Sequence, residues 1–143
     1  MQMAFEEAEE AAKRGEVPIG AVLVSDKGEI LARFGNRTEE DHDPTAHAEI
    51  LAIREAADLR RSPRLTDCDL YVTLEPCAMC AAAISLARIR RLYYAAYDPK
   101  GGAVDHGPRF FNQPTCHHKP EVIGGMEERK AGELLKKFFA ERR

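Results

Sequence analysis

The chain has 143 residues, a formal net charge of −3 and four cysteines, a length typical of one domain. The negative charge argues against a protein that coats nucleic acid non-specifically, because that mode of binding neutralises many phosphates. No apolar stretch approaches the roughly 20 residues of a membrane span, and the unevenly spaced cysteines do not indicate a disulfide framework. Residues 1–14 lack the apolar run of a signal peptide. We therefore expect a single domain over residues 1–143 in a reducing, cytoplasmic setting, with no membrane partner.

The first part of the chain predicts a helix followed by a hairpin. Residues 2–14 place Phe5 and several alanines on one stripe, with glutamates opposite, which is the pattern of an amphipathic helix. Residues 19–25 and 29–34 are short apolar runs on either side of the turn sequence DKG, which indicates two paired strands. A polar loop follows, as far as Thr45.

The remainder of the chain alternates helices with strands. Apolar spacing predicts helices over residues 46–59, 77–87 and 127–143 and strands over residues 69–74 and 91–97, with a short fifth strand in EVIGG. The loop over residues 98–120 is rich in Gly and Pro and long enough to suggest a functional role. This order predicts an α/β fold in which a sheet lies between layers of helices.

The stretch LEPCAMC, residues 74–80, places a C-x-x-C pair directly after a predicted strand. Such a pair can be a redox couple, half of a structural zinc site or part of a catalytic metal centre. Pro76 suits the first turn of a helix, which would put Cys77 and Cys80 on one face at the positive end of the helix dipole. Ligand sites in α/β sheets lie beyond strand ends such as this one.

The best upstream candidate for a third ligand is His47, at the start of another predicted helix. One imidazole and two thiolates leave a fourth position on zinc open for water, as in catalytic sites. Zinc lowers the pKa of that water from about 15.7 towards about 7. Glu49 can face the same pocket only if His47 lies at the very first turn, and it is expected to transfer protons rather than bind the metal. These groups suit hydrolytic removal of an amine from a ring carbon.

Two motifs carry a family resemblance. HAE at residues 47–49 and PCAMC at residues 76–80 match the H-x-E and P-C-x-x-C signature of zinc-dependent nucleobase deaminases. Further stretches, namely VPIGAVLV, GNR, DPTAHAEI, LYVTLEPCAMC, RI, DPKGGA and LLKKFF, resemble the bacterial tRNA-specific adenosine deaminases over nearly the whole chain.

That resemblance implies both an activity and a fold. The activity is deamination of adenosine to inosine at the wobble position of a tRNA anticodon stem-loop, with a zinc-bound hydroxide and a glutamate proton shuttle. The fold is the three-layer α/β/α cytidine-deaminase type. Its mixed five-stranded sheet has an opening antiparallel hairpin and largely parallel remaining strands.

The resemblance also implies roles for individual residues. One Zn²⁺ per chain would be held by His47, Cys77 and Cys80, with Glu49 as the proton shuttle. Contacts to the flipped nucleoside and its neighbours would come from Asn36, the backbone of Ala48, Asp98, Lys100 and Phe138. Contacts to the RNA backbone would come from Arg142 and Arg143.

The resemblance further implies a homodimer, and the apolar run at residues 81–87 is compatible with an interface. The chain departs from the family pattern at two places. VDHG, residues 104–107, stands where small residues and a serine are more usual, and His117 stands where asparagine is usual. These departures concern RNA contacts rather than the chemistry.

Three alternatives share parts of the same pattern. A deaminase of free guanine, cytosine or cytidine would act without tRNA and would not need a basic terminal helix. A structural zinc module would bind zinc without deaminase activity, as would follow if Cys116, His117 or His118 supplied a fourth ligand. A thiol redox protein would function without metal.

Overall fold

A computed structural model of the protein describes residues 1–142. The described residues form five strands, four α-helices and a short 3₁₀ helix at Phe110–Asn112. In chain order the elements are α1 Gln2–Lys13, β1 Gly20–Ser25, β2 Ile30–Gly35, α2 Ala48–Arg60, β3 Cys68–Leu74, α3 Ala78–Ala87, β4 Arg91–Ala96, β5 Glu121–Ile123 and α4 Glu128–Ala140. This is the predicted order of elements, with most boundaries within two residues.

The strands form one mixed sheet in the order β2-β1-β3-β4-β5. β1 is antiparallel to both β2 and β3, whereas β3, β4 and β5 are parallel. The predicted hairpin and the predicted parallel fifth strand are therefore confirmed. Because Leu74 pairs with Ala96 in the parallel register, the carboxyl ends of β3 and β4 lie at the same edge of the sheet. The segments that follow these two strands consequently meet there.

Helices cover both faces of the sheet. On one face, alanines of α2 and α3 pack with buried sheet residues such as Leu70, Val72 and Leu92. On the other face, Phe5 of α1 and Ala131 of α4 pack against Ala95 and Ala96. The small side chains on α2 and α3 allow these helices to lie close to the strands. The result is the predicted three-layer α/β/α arrangement.

The helices α2 and α3 begin two residues and one residue later than predicted, respectively. α2 starts at Ala48, and His47 is its N-cap residue with extended backbone angles (φ −73°, ψ 149°). α3 starts at Ala78, and Cys77 is its N-cap residue, also extended (φ −74°, ψ 176°). An N-cap residue lies half outside its helix, so its side chain is free of the helical repeat. Both side chains can therefore turn towards each other across the sheet edge.

Within residues 1–142, no helix combines the length and the apolar character that crossing a membrane requires.

Candidate metal centre and substrate pocket

Three side chains converge at the carboxyl ends of the strands. The Nδ1 atom of His47 lies 3.7 Å from Sγ of Cys77 and 3.5 Å from Sγ of Cys80. The ligand atoms of all three residues lie within 4.8 Å of one another. A tetrahedral zinc ion with bonds of about 2.0 Å to nitrogen and about 2.3 Å to sulfur separates such atoms by about 3.5 Å. The donor set and its spacing therefore fit one zinc ion per chain.

The charges within this cluster are linked. The hydrogen bond from the Cys80 thiol and, to a smaller extent, His47 lower the pKa of Cys77 to about 4, against the effect of burial. The same hydrogen bond and burial raise the pKa of Cys80. The hydrogen bond to Cys77 raises the pKa of His47 although burial opposes it. These shifts favour the thiolate of Cys77 beside the His47 ring, and a bound metal cation would stabilise that thiolate in the same way.

No further His, Cys, Asp or Glu joins this three-residue cluster in the part of the chain that the structure describes. Cys116 donates to the carbonyl of His118 (3.2 Å), and the His118 ring contacts the carbonyl of Ile89 through Nε2 (2.7 Å). His117 is exposed. The fourth-ligand alternative therefore receives no support from these residues.

Glu49 lies in the first turn of α2, beside the cluster but outside the ligand set. The residue is 4% exposed, and burial raises the pKa of its carboxyl group to about 6. It borders a pocket of about 160 Å³, whose lining also includes His47, Glu75, Cys77, Asp98 and Gly101. A carboxyl group that titrates near neutral pH can both take up and release a proton.

Asn36 and Ala48 form a direct contact on the α2 side of the site. The Oδ1 atom of Asn36 accepts the backbone N–H of Ala48 at 2.8 Å, and both residues are buried. The side-chain nitrogen of Asn36 has no partner among the described residues, yet it is not sealed from solvent. It therefore remains available as a donor, while the Ala48 N–H is already engaged.

Asp98 and Lys100 follow the carboxyl end of β4. The Asp98 carboxylate accepts the backbone N–H groups of Lys100 (3.2 Å) and Gly101 (3.0 Å), which folds the segment into a tight turn at the pocket. The side chain of Lys100 is exposed and lines a separate groove together with Lys136 and Phe139 of α4. The structure thus places Asp98 at the metal pocket and Lys100 outside it.

The two phenylalanines of α4 differ in exposure. Phe138 is 5% exposed, lies beside α1, and carries the guanidinium of Arg142 at 3.6 Å from its ring centroid. Phe139 is 49% exposed. Consecutive helical residues point about 100° apart, so only one of the two rings can face α1. The ring of Phe138 is covered, and its predicted contact with the substrate stays a prediction. The predicted RNA contact of Arg143 lies outside the described residues.

Glu75 is a buried acid that the sequence prediction did not assign to the site. Its side chain is fully covered and accepts hydrogen bonds from Asp98, Val104, Asp105 and His106. Burial raises the pKa of Glu75, but these hydrogen bonds outweigh it and leave the pKa below its usual value. The sequence signal that could have indicated its role is an acidic residue placed directly between an apolar strand and a proline.

Comparison with known proteins agrees with this geometry. The model of the cytidine and deoxycytidylate deaminase zinc-binding region matches residues 1–96, which include His47, Glu49, Cys77 and Cys80. The tRNA-specific adenosine deaminase of Agrobacterium fabrum is 62% identical over 143 residues, covering 100% of this chain and 93% of the relative. The protein of the same name from Bacillus subtilis is 44% identical, covering 100% and 88% respectively.

A solved structure supports the same assignment. It comes from work on A-to-I editing by tRNA:A34 deaminases at the wobble position of transfer RNA, and it is 62% identical to this chain. Its TM-score is 0.92, and the match covers 94% of this chain and 97% of the other. The chain belongs to the tRNA-specific adenosine deaminases, within the zinc-binding cytidine and deoxycytidylate deaminase family.

Proposed function

We propose that this protein deaminates adenosine to inosine at the wobble position of a tRNA anticodon. The observation that carries the proposal is the convergence of His47, Cys77 and Cys80 beside the buried carboxyl group of Glu49, at the base of a small pocket. Zinc held by these three residues would supply Lewis-acid activation of a water molecule. Close relatives named as tRNA-specific adenosine deaminases support the choice of substrate.

Glu49 is the proton-transfer residue in this proposal. Its carboxylate takes a proton from the attacking water and delivers it to the ring nitrogen next to the amine-bearing carbon. Glu49 then moves the proton of the newly added hydroxyl group to the amine, the C–N bond breaks, and ammonia leaves while the former hydroxyl oxygen becomes the carbonyl oxygen. The pKa of about 6 suits a group that must gain and lose a proton repeatedly near neutral pH.

The pocket walls would hold the flipped nucleoside. Asn36 offers its free side-chain nitrogen, and the bond from Ala48 fixes the orientation of its amide. Asp98, which lines the pocket, is held by the turn that it caps. A volume of about 160 Å³ is small, so the flanking nucleotides would lie outside the pocket.

The surface beside the pocket suits RNA. The groove between the Asp98 segment and α4 carries two lysines, Lys100 and Lys136, next to the exposed ring of Phe139. Lysines attract phosphates, and an exposed ring can stack on a base. Arg142, Arg143 and Phe138 remain proposed contacts further along the chain. They require that the terminal segment meet the flanking nucleotides.

The substrate is tested by incubating the zinc-loaded protein with an adenosine-containing anticodon stem-loop, and separately with free adenosine, cytidine and guanine. We expect inosine to form in the stem-loop. Consumption of a free base with the stem-loop untouched would reject the proposal in favour of a small-molecule deaminase. Absence of all turnover in protein with bound zinc would favour a structural zinc module, and thiol–disulfide exchange by zinc-free protein that forms no inosine would favour a redox protein.

Glu49→Ala tests the proton-transfer role. We expect one zinc per chain to remain and turnover to fall by at least about 10² to 10⁴, the contribution typical of a general acid–base group. Glu55→Ala, an exposed glutamate on the same helix, is the matched control and should keep full activity. Loss of the metal in Glu49→Ala would show that this residue is a ligand and not the shuttle.

The charge of α4 provides a test of the RNA surface. Changing Lys136, Lys137 and Arg142 together to alanine should weaken stem-loop binding and reduce the slope of log affinity against log salt by about 2 to 3. Binding measured by fluorescence anisotropy at several salt concentrations checks this. An unchanged slope would mean that these cations face solvent in the complex.

The proposed unit is a single domain over residues 1–143 that acts as a homodimer in the cytoplasm. Leu59 of α2 and Leu86 of α3 are 62% and 70% exposed, as expected for residues that a second copy would cover. Sedimentation should give a dimer for the natural chain and a monomer for Leu86→Glu. A monomeric natural chain at micromolar concentration would reject the dimer.

A further inference from the structure

Glu75 stands between the end of β3 and the metal ligand Cys77, yet its carboxylate points at a different segment of the chain. Its side chain is 0% exposed. Oε1 accepts the backbone N–H of Asp98 (2.9 Å) and faces Nδ1 of His106 (2.8 Å). Oε2 accepts three successive backbone N–H groups, those of Val104 (3.1 Å), Asp105 (2.9 Å) and His106 (3.1 Å).

The segment that supplies these donors, residues 98–106, also forms part of the pocket wall. Asp98 and Gly101 line the same pocket as His47 and Glu49. Residues 98–106 lie outside the helices and strands, so the sheet does not hold their backbone N–H groups. Glu75 therefore supplies hydrogen-bond acceptors for the backbone N–H groups of this segment, as the carbonyl groups of a neighbouring strand do in a sheet.

The segment lies directly over the carboxylate. A Cβ atom on Gly102 would lie 2.5 Å from Cδ of Glu75 and 2.5 Å from the carbonyl oxygen of Asp98. The backbone N–H of Ala103 also donates to the carbonyl of Pro76 at 2.9 Å. Residues 98–106 are thus linked to both Glu75 and Pro76, the two residues that precede Cys77. The close contact at Gly102 leaves no space for the segment to move towards Glu75.

We propose that Glu75 is a positioning residue for RNA binding: it holds residues 98–106 in the conformation that presents Asp98 and Lys100 to the substrate. This inference rests on the proposed tRNA deaminase function. Glu75 borders the pocket but is not part of the metal cluster, and its covered carboxylate is bonded to residues 98–106, so we infer that it acts through this segment. A change at Glu75 should consequently affect how tightly the stem-loop binds more than how fast the bound adenosine reacts.

Glu75→Gln is the sharpest variant, because it keeps the shape of the side chain and turns one acceptor oxygen into a donor group. An NH₂ at the Oε2 position would face three backbone N–H groups, and an NH₂ at the Oε1 position would face the backbone N–H of Asp98. We expect one zinc per chain and a KM for the anticodon stem-loop that is raised about tenfold or more, which is the loss expected for one hydrogen bond to a charged group. We expect kcat to stay within about threefold of the wild-type value. Steady-state kinetics and metal analysis check this.

Glu16→Gln is the matched control. Glu16 is 1% exposed and likewise accepts loop backbone N–H groups, those of Glu39 (3.2 Å) and Glu40 (2.8 Å), but it has no contact with residues 98–106. It should lower the melting temperature and leave KM unchanged. An equal rise of KM in both variants would mean general loosening and would overturn the inference, as would an unchanged KM in Glu75→Gln.

His106→Ala provides a second variant that leaves Glu75 and the metal ligands in place. It removes the side-chain contact to Oε1, and we expect KM to rise about threefold to tenfold with kcat retained. A normal KM in this variant together with a normal KM in Glu75→Gln would reject any positioning role.

Amide hydrogen exchange separates this inference from the proposed function, because it needs no turnover. Glu75→Gln should lose protection at residues 98 and 104–106, while residues 39 and 40 should lose it only in Glu16→Gln. Unchanged protection at residues 98 and 104–106 would overturn the positioning role. An inactive wild-type protein would reject the deaminase function and leave the exchange result to stand by itself.

Discussion

Each end of β3 carries a cysteine and an acidic residue, but the pKa of the cysteine is raised at the amino end and lowered at the carboxyl end. At the amino end, burial raises the pKa of the Cys68 thiol to about 12, and the neighbouring Asp67 carboxylate adds to the rise. At the carboxyl end, the Cys80 thiol and His47 lower the pKa of Cys77 to about 4. Hydrogen-bond donors and positive charge around Cys77 favour its thiolate, the form that binds metals, whereas burial and Asp67 favour the neutral thiol of Cys68.

The acids of the two ends differ in the same way. Asp69 is closed in a pair with the Arg90 guanidinium, with both oxygens engaged at 2.9 and 2.8 Å. Glu75 instead gathers the N–H groups of a segment that reaches the pocket. At the amino end, the acid therefore forms an ion pair that supports the fold. At the carboxyl end, the acid holds a segment that lines the pocket.

The largest contrast between the ends should appear when one cysteine is removed from each. Cys80→Ser should lose zinc and all measurable deamination, because a hydroxyl is a poor replacement for a thiolate ligand. Cys68→Ala should keep one zinc per chain and normal turnover, with a loss of stability of about 1 kcal/mol from the emptied space. Metal analysis, activity and chemical denaturation measure this, and zinc loss in Cys68→Ala would contradict the comparison.

Thiol labelling should show the next largest difference. In zinc-free protein the pKa of Cys77 is lowered to about 4 and that of Cys68 is raised to about 12, so at pH 7 the reactive thiolate form is far more abundant at Cys77. Iodoacetamide followed by peptide mass spectrometry should therefore modify Cys77 first and leave Cys68 unmodified until the chain unfolds. Zinc should protect Cys77. Early modification of Cys68 would mean that the amino end is open.

Asp69→Asn tests the closed pair at the amino end. The Asp69 side chain is 11% exposed and that of Arg90 is 37% exposed, so solvent weakens their attraction in part. We expect a loss of roughly 1–2 kcal/mol of unfolding free energy, with zinc content and KM unchanged. A raised KM for the stem-loop would show that the Asp69–Arg90 pair at the amino end of β3 also affects substrate binding.

The smallest effect should come from the surface pair between Arg91 and Glu121, also at the amino end. Their side chains are 42% and 64% exposed. Glu121→Gln should leave the unfolding free energy nearly unchanged, because water and salt screen such a pair. Denaturation at low and high salt measures the contribution. A loss of stability as large as that of Asp69→Asn would show that this surface pair is important for the fold.

The sequence predicted the elements and the ligand set because both depend on local signals. H-x-E and P-C-x-x-C each lie within a few residues, and the strands on either side are short apolar runs. The sequence did not predict the role of Glu75, since its partners lie 23 to 31 residues further along the chain. Nor could helical spacing decide between Phe138 and Phe139, because the packing of α1 determines which ring is covered.

The N-cap positions of His47 and Cys77 have a consequence for folding. The two residues are 30 positions apart in the chain, and a shared metal ion would join them as a cross-link does. For a closed loop of that length, the chain-entropy argument used for disulfides gives roughly 3–4 kcal/mol. A zinc ion bound by both N-cap residues would therefore tie the starts of α2 and α3 together at the carboxyl edge of the sheet.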